Sequence, residues 1–212
     1  MSNYTKMPQT FLGFDASFEA AATVVFGAPY DSTCSFRPGT RFGPEAMRRD
    51  FLGLESYSPY LDRSIEDYAI HDAGDLELPF AQSEETLSQI EAFVSTCLAH
   101  DKQTAMLGGE HLLSLASIKA FYQKYPDLHV VHLDAHTDLR EAYLGNPLSH
   151  ASVMRRVWEL LGDRRIHQLG IRSGEKEEFL FAKSHLSIEP FDVQSMDTVA
   201  QELQSLDVPV YI

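Results

Sequence analysis

Cysteine is scarce in this chain of 212 residues: Cys34 and Cys97 are the only two, one in a Pro/Gly-rich stretch and one on the apolar stripe of a predicted helix. Two thiols in such unlike contexts argue against a disulfide framework and point to a reducing compartment. Basic residues are also few. Lys and Arg number 17 against 31 Asp and Glu, a formal net charge of −14, and no Lys/Arg cluster offers a footprint for nucleic acid. Such acidity serves solubility first, and is compatible with a small cationic substrate. No apolar run approaches the length that spans a bilayer, and Met1-Ser2-Asn3-Tyr4-Thr5-Lys6 lacks the basic and apolar regions of a signal peptide. Repeats, low-complexity tracts and linkers are missing as well. The expectation is a soluble, cytoplasmic protein with no membrane or nucleic-acid partner, its residues 1–212 forming a single domain.

What is present is a core-building composition, 44% hydrophobic and 11% aromatic, arranged in a strand-then-helix rhythm. Apolar runs at 23–27, 103–107, 128–134 and 165–171 read as buried strands, with shorter ones at 68–70, 185–188 and 208–212, the 68–70 strand ending at His71-Asp72-Ala73-Gly74. Pro44 is suited to the first position of one helix. Ser83 can cap a second, with Glu84 and Glu85 in its first turn and Leu87, Ile90, Val94, Cys97 and Leu98 at helical spacing. Further helices are expected after His111, with Pro126 closing that one, and over 151–161, 175–183 and 196–206. This alternation predicts an α/β fold with parallel pairing and helices on both faces of the sheet.

The strand at 128–134 runs into Asp134-Ala135-His136-Thr137-Asp138. In extended backbone the three polar side chains share one face. Two carboxylates and an imidazole converging there are costly without a cation, and the C-terminal end of a parallel strand is where open α/β sheets place ligands. His111 follows Gly108-Gly109-Glu110 at another strand-to-helix junction and can share that edge. A donor set rich in hard carboxylate oxygens suits a pair of Mn²⁺ ions better than one structural Zn²⁺.

These segments, with Gly27-Ala28-Pro29-Tyr30-Asp31, Ser35-Phe36-Arg37-Pro38-Gly39-Thr40-Arg41-Phe42-Gly43-Pro44 and Ser149-His150-Ala151, follow the order found in the ureohydrolases (arginase, agmatinase and relatives). The chain resembles that family from about residue 24 onward, and within it the agmatinases most. The resemblance implies a three-layer α/β/α fold with a mainly parallel central sheet. It implies a pair of Mn²⁺ ions held by His111, Asp134, His136 and Asp138, with Asp134 bridging. Attack of a metal-bridging hydroxide on a guanidinium carbon would follow, Asp138 orienting the nucleophile and His150 supplying a proton to the leaving amine. Agmatine going to putrescine and urea, a step of polyamine biosynthesis, is the implied reaction, and a homotrimer or homohexamer the implied assembly. Asp31, Arg37 and Arg41 are expected to brace loops, and Glu110 stands where many relatives have aspartate.

The chain departs from the family at its end. Val208-Pro209-Val210-Tyr211-Ile212 matches the first half of a strand that in relatives leads to a Ser-x-Asp-x-Asp segment with two further ligands and, later, a glutamate for the substrate guanidinium. The expectation is a sequence truncated at its C-terminal end. Other readings remain open: a hydrolase of arginine, guanidinobutyrate or guanidinopropionate, a zinc deacetylase of related fold, or a non-catalytic relative. Arg140, where arginases carry Asn, fits a substrate without an α-amino carboxylate, or could grip a simple carboxylate.

Overall fold

The computed structural model describes residues 4–5 and 10–212. The chain divides into two compact units, 1–113 and 114–212.

The first unit contains β1 (Tyr4–Thr5), β2 (Thr23–Ala28), α1 (Gly43–Asp50), β3 (Tyr57–Ser58), β4 (Arg63–Ser64), β5 (Ile70–Leu76), α2 (Ser83–Ala99) and β6 (Gln103–Gly108). Its sheet has the order β1-β5-β2-β6, with β2 parallel to both neighbours and β1 antiparallel to β5; β3 and β4 form a separate ribbon. The central β2 is buried from Val24 to Ala28, as a continuous apolar run in a parallel sheet should be. Along α2 the expected stripe is buried, joined by Phe93, whose ring lies 4.7 Å from that of Phe26. Burial pushes the Cys97 thiol up to about 11, so it behaves as a small apolar group.

Two local expectations change here. Ser83 is the first helical residue rather than the cap, and its hydroxyl meets the Tyr30 hydroxyl at 2.9 Å. The strand expected to end at 71–74 continues through Leu76, carrying Asp72 and Asp75 with it. Arg48 of α1, 1% exposed, makes this possible: its Nε and Nη2 donate to Asp72 at 2.8 and 2.9 Å, and its Nη1 donates to Asp75. Burial would raise the Asp72 carboxyl, but the guanidinium and the Phe11 and Gly74 amides outweigh it and hold the group below its ordinary value. An Arg48→Ala substitution should cost about 3–5 kcal/mol by stranding buried carboxylates, and Arg48→Met, with Asp72→Leu and Asp75→Leu, should recover much of it. Urea unfolding followed by circular dichroism reads both.

The second unit contains α3 (Ser114–Lys124), β7 (His129–Leu133), α4 (Val153–Leu161), β8 (Ile166–Ile171), α5 (Lys176–His185), β9 (Ser187–Pro190), α6 (Met196–Leu206) and β10 (Val210–Tyr211). Its strands are all parallel, in the order β10-β7-β8-β9. Val199 and Leu203 of α6 pack on Val131 and Leu169, with Met196 and Val208 beside them.

Val131 pairs in register with His167, and His129 alternates with Val131, so both imidazoles lie on the face that carries Val131. Their rings stack at 5.4 Å, with His129 Nδ1 3.0 Å from His167 Nε2. Burial lowers the pKa of each, helped at His129 by Arg165 and at His167 by His129; Glu202, and at His129 also Asp127, pull the other way without prevailing. The unfolded chain therefore takes up protons that the folded one refuses, so stability falls as pH drops below the ordinary value of 6.5. The urea midpoint, measured from about pH 8 to about pH 5, should decline below that value, and decline less in His167→Gln.

Candidate metal centre

Strand β7 ends at Leu133, and the backbone leaves the sheet there while its polar groups find new partners. Asp134 N donates to Leu169 O at 3.2 Å. Ala135 O accepts from the Arg172 and Ser173 amides at 2.8 and 2.9 Å, and Thr137 N donates to Ser173 O at 3.1 Å. Gly174 keeps this approach close: a Cβ there would lie 2.6 Å from Thr137 Oγ1. Asp138 then turns into the left-handed region, at φ 50°. Its carbonyl accepts from the amides of Met154 and Arg155 at 3.0 and 3.3 Å, two of the amides that a helix start leaves unpaired. Ser152, the residue before α4, makes no side-chain cap, so Asp138 supplies that service through its main chain.

Beyond β7 an isolated parallel bridge pairs His136 with Ser173, and the left-handed φ of Asp138 ends the extended alternation at the last member of the triplet. Asp134, Asp138 and His132 each offer a ligand atom, with those atoms within 4.8 Å of one another. The His136 side chain is 62% exposed; its Nδ1 lies 3.4 Å from Asp134 Oδ1, and its main-chain N donates to that oxygen at 2.9 Å. His132 escapes a reading based on the triplet alone. The signal was a polar residue interrupting the apolar run of β7, two positions before Asp134. Gln168 interrupts β8 in the same way, directly across from His132.

Glu178 of α5, largely buried, gathers this loop: it accepts from the Thr137 hydroxyl at 2.8 Å and from the Leu139 and Glu175 amides at 2.9 and 2.8 Å. Arg140 donates to Glu175 at 2.7 Å, lies 3.7 Å from Glu178 and stacks over Tyr143. His150 begins a short 3-10 turn (His150–Ser152) and meets Tyr143 edge-on at 5.5 Å between ring centroids. Arg140 N donates to Ala151 O at 3.2 Å, which ties that turn to the chain just beyond Asp138.

In the first unit, His111 opens a 3-10 turn (His111–Leu113) after β6 and is half-buried. The preceding Gly109 lies against the chain after β2: its N donates to Ala28 O at 3.1 Å, and Glu110 N donates to Tyr30 O at 2.8 Å. A Cβ on Gly109 would sit 2.0 Å from Tyr30 O, so no other residue fits. Glu110 accepts from the Thr33 amide at 2.8 Å and from its hydroxyl. Asp31, 2% exposed, accepts from Gly39 N at 2.7 Å and from Arg41 Nε at 2.6 Å, and the Arg41 guanidinium holds its carboxyl below the usual range. Asp31 and Arg41 thus brace the 31–41 loop, whereas Arg37, at φ 51°, lies over the exposed Phe36 ring. Gly109→Ala should push the loop that carries His111 off the Tyr30 backbone and cost about 1–3 kcal/mol, read as a lowered urea midpoint.

Parallel sheets flanked by helices, with acids and imidazoles at strand ends, define an arginase-like three-layer α/β/α protein. The sequence profile of the arginase family matches residues 21–212. The chain is 47% identical over 206 residues to an agmatinase of Bacillus cereus and 45% identical over 206 residues to one of Bacillus subtilis, covering 96% of itself and 70% of each relative. It is similar to the crystal structure of the agmatine ureohydrolase of Thermoplasma volcanium, with a TM-score of 0.88 and 33% identity, over 98% of this chain and 71% of that one. The chain belongs to the arginase family, and is a hydrolase of guanidino compounds. Among the described residues no helix is long and apolar enough to cross a membrane.

Proposed function

We propose that the chain hydrolyses agmatine to putrescine and urea with a pair of Mn²⁺ ions, in the cytoplasm and as a homo-oligomer. The observation that carries this reading is the meeting of Asp134 and Asp138 carboxylates at the C-terminal end of a parallel strand. Carboxylate oxygens are hard donors that suit Mn²⁺, and the fixed backbone around them provides a preorganised cradle. Asp134, Asp138, His136 and His111 are the residues that would hold the ions. The exposed His136 ring, already beside Asp134, can turn on its own χ angles without moving the main chain. The ions would supply Lewis acidity, lowering the pKa of water and offsetting charge on oxygen.

The chain's own groups have complementary tasks. Asp138 accepts a hydrogen bond from the attacking water and orients it toward the guanidinium carbon. His150, whose imidazole can carry and release a proton, donates one to the departing amine. Arg140 bears on the choice of substrate. With its guanidinium engaged by Glu175 and Glu178 and stacked on Tyr143, it is held away from the task of gripping a substrate carboxylate. That favours agmatine over arginine, guanidinobutyrate and guanidinopropionate.

Urea release across these four compounds by the Mn²⁺-loaded protein should be greatest with agmatine; preference for a carboxylated substrate would overturn the assignment. His150→Asn should lower kcat by about 100-fold or more while leaving KM and Mn²⁺ affinity close to wild type. Asp138→Asn should instead weaken Mn²⁺ binding itself, measured by titration calorimetry.

A further inference from the structure

We propose that Gln168 locks His132 in the tautomer with its proton on Nε2, so that His132 orients Asp134 as a hydrogen-bond donor and is not a metal ligand. The inference rests on the reading of Asp134 as a ligand. It begins at the buried end of the chain of contacts. Gln168 Nε2 lies 2.7 Å from the main-chain oxygen of Thr137, which can only accept. The amide nitrogen must therefore face Thr137, since the reverse orientation would set two acceptors against each other. Gln168 Oε1 has no hydrogen-bond partner among the described residues, so the amide is held by its NH₂ group alone.

The second N–H of that group faces His132 Nδ1 at 3.1 Å. A donor there requires a bare lone pair on Nδ1, and the neutral ring then carries its proton on Nε2. Nε2 lies 3.2 Å from Asp134 Oδ2, so that proton is directed at the carboxylate. Register produces the relay, because His132 and Gln168 are paired residues on adjacent parallel strands and share a face. His132 is 5% exposed and Gln168 is fully buried, which leaves water no access to replace either partner.

Asp134 is thereby held at both oxygens, Oδ1 by the His136 amide and Oδ2 by His132. His132, with both ring nitrogens committed, has none to give. Gln168 and His132 are positioning residues: they act through Asp134, and outer partners of this kind typically contribute about 10–100-fold in metal affinity.

Long-range ¹H–¹⁵N spectra of the full chain with labelled histidine test this directly, with the His132 signals assigned by their loss in His132→Phe. Zn²⁺ serves as a diamagnetic probe of the loaded state. The expected result is a protonated Nε2 and a bare Nδ1 both without metal and with Zn²⁺, changing to a mixture of tautomers in Gln168→Leu. Mn²⁺ affinity should fall about 10–100-fold in Gln168→Leu and in His132→Phe, and fall less in His132→Gln, which can still present an N–H to Asp134. Loss of the Nε2 proton when Zn²⁺ binds, or a protonated Nδ1 in the metal-free protein, would overturn the inference. Failure of the wild-type chain to bind either metal would overturn the metal-dependent function instead, while the metal-free spectrum would still decide the tautomer.

Discussion

The second unit is organised by the place where β7 stops being a strand. Buried main-chain groups must find partners, and after Asp134, whose amide still reaches Leu169 O of β8, the strands no longer provide them. The segment following β8, the first amides of α4 and the Glu178 carboxylate take over in turn. Each substitution fixes a short stretch of backbone, and together they set where Asp134 and Asp138 emerge. The left-handed turn at Asp138 follows from the same demand, since its carbonyl has to point at the start of α4. Chemistry at this edge depends on how the main chain is satisfied as much as on the acids themselves.

Most of the scaffold was legible in the sequence because its elements are long and strongly periodic. The α2 stripe is buried as its spacing requires, the runs at 23–27 and 103–107 are strands, and the run at 165–171 holds β8 from Ile166 to Ile171. The departures came from tertiary partners that periodicity does not register. Ser83 had the side chain of a cap, but Tyr30 claims its hydroxyl. His71-Asp72-Ala73-Gly74 looked like the end of its strand, but β5 runs on through Asp75 to Leu76, with Arg48 neutralising both aspartates from another element. Convergence in the Asp134–Asp138 segment was foreseen, but its membership was inferred from an alternation that needs extended backbone. The positive φ at Asp138 ends that alternation at its last member, and His132, two positions before Asp134, meets the same carboxylate from within β7.

The units treat buried polar groups in contrasting ways. In the first, opposite charges meet: Arg48 with Asp72 and Asp75, and Arg41 with Asp31. Removing either partner leaves an uncompensated charge, so these sites tolerate change poorly. In the second, His129 and His167 lie one against the other and remain neutral at the cost of sensitivity to acid. Among the described residues Arg48 is the one buried arginine or lysine, with two carboxylates as partners, whereas burial lowers the pKa of His129 and His167.

The register of β7 on β8 has a consequence for descent. His132 and Gln168 stand 36 positions apart in the sequence yet share a buried hydrogen bond. A mutation at either position alone takes from the other the one partner that its register supplies. Related chains should therefore keep both residues or exchange both together, and the two positions should covary as one inherited unit even where the rest of the two strands has drifted.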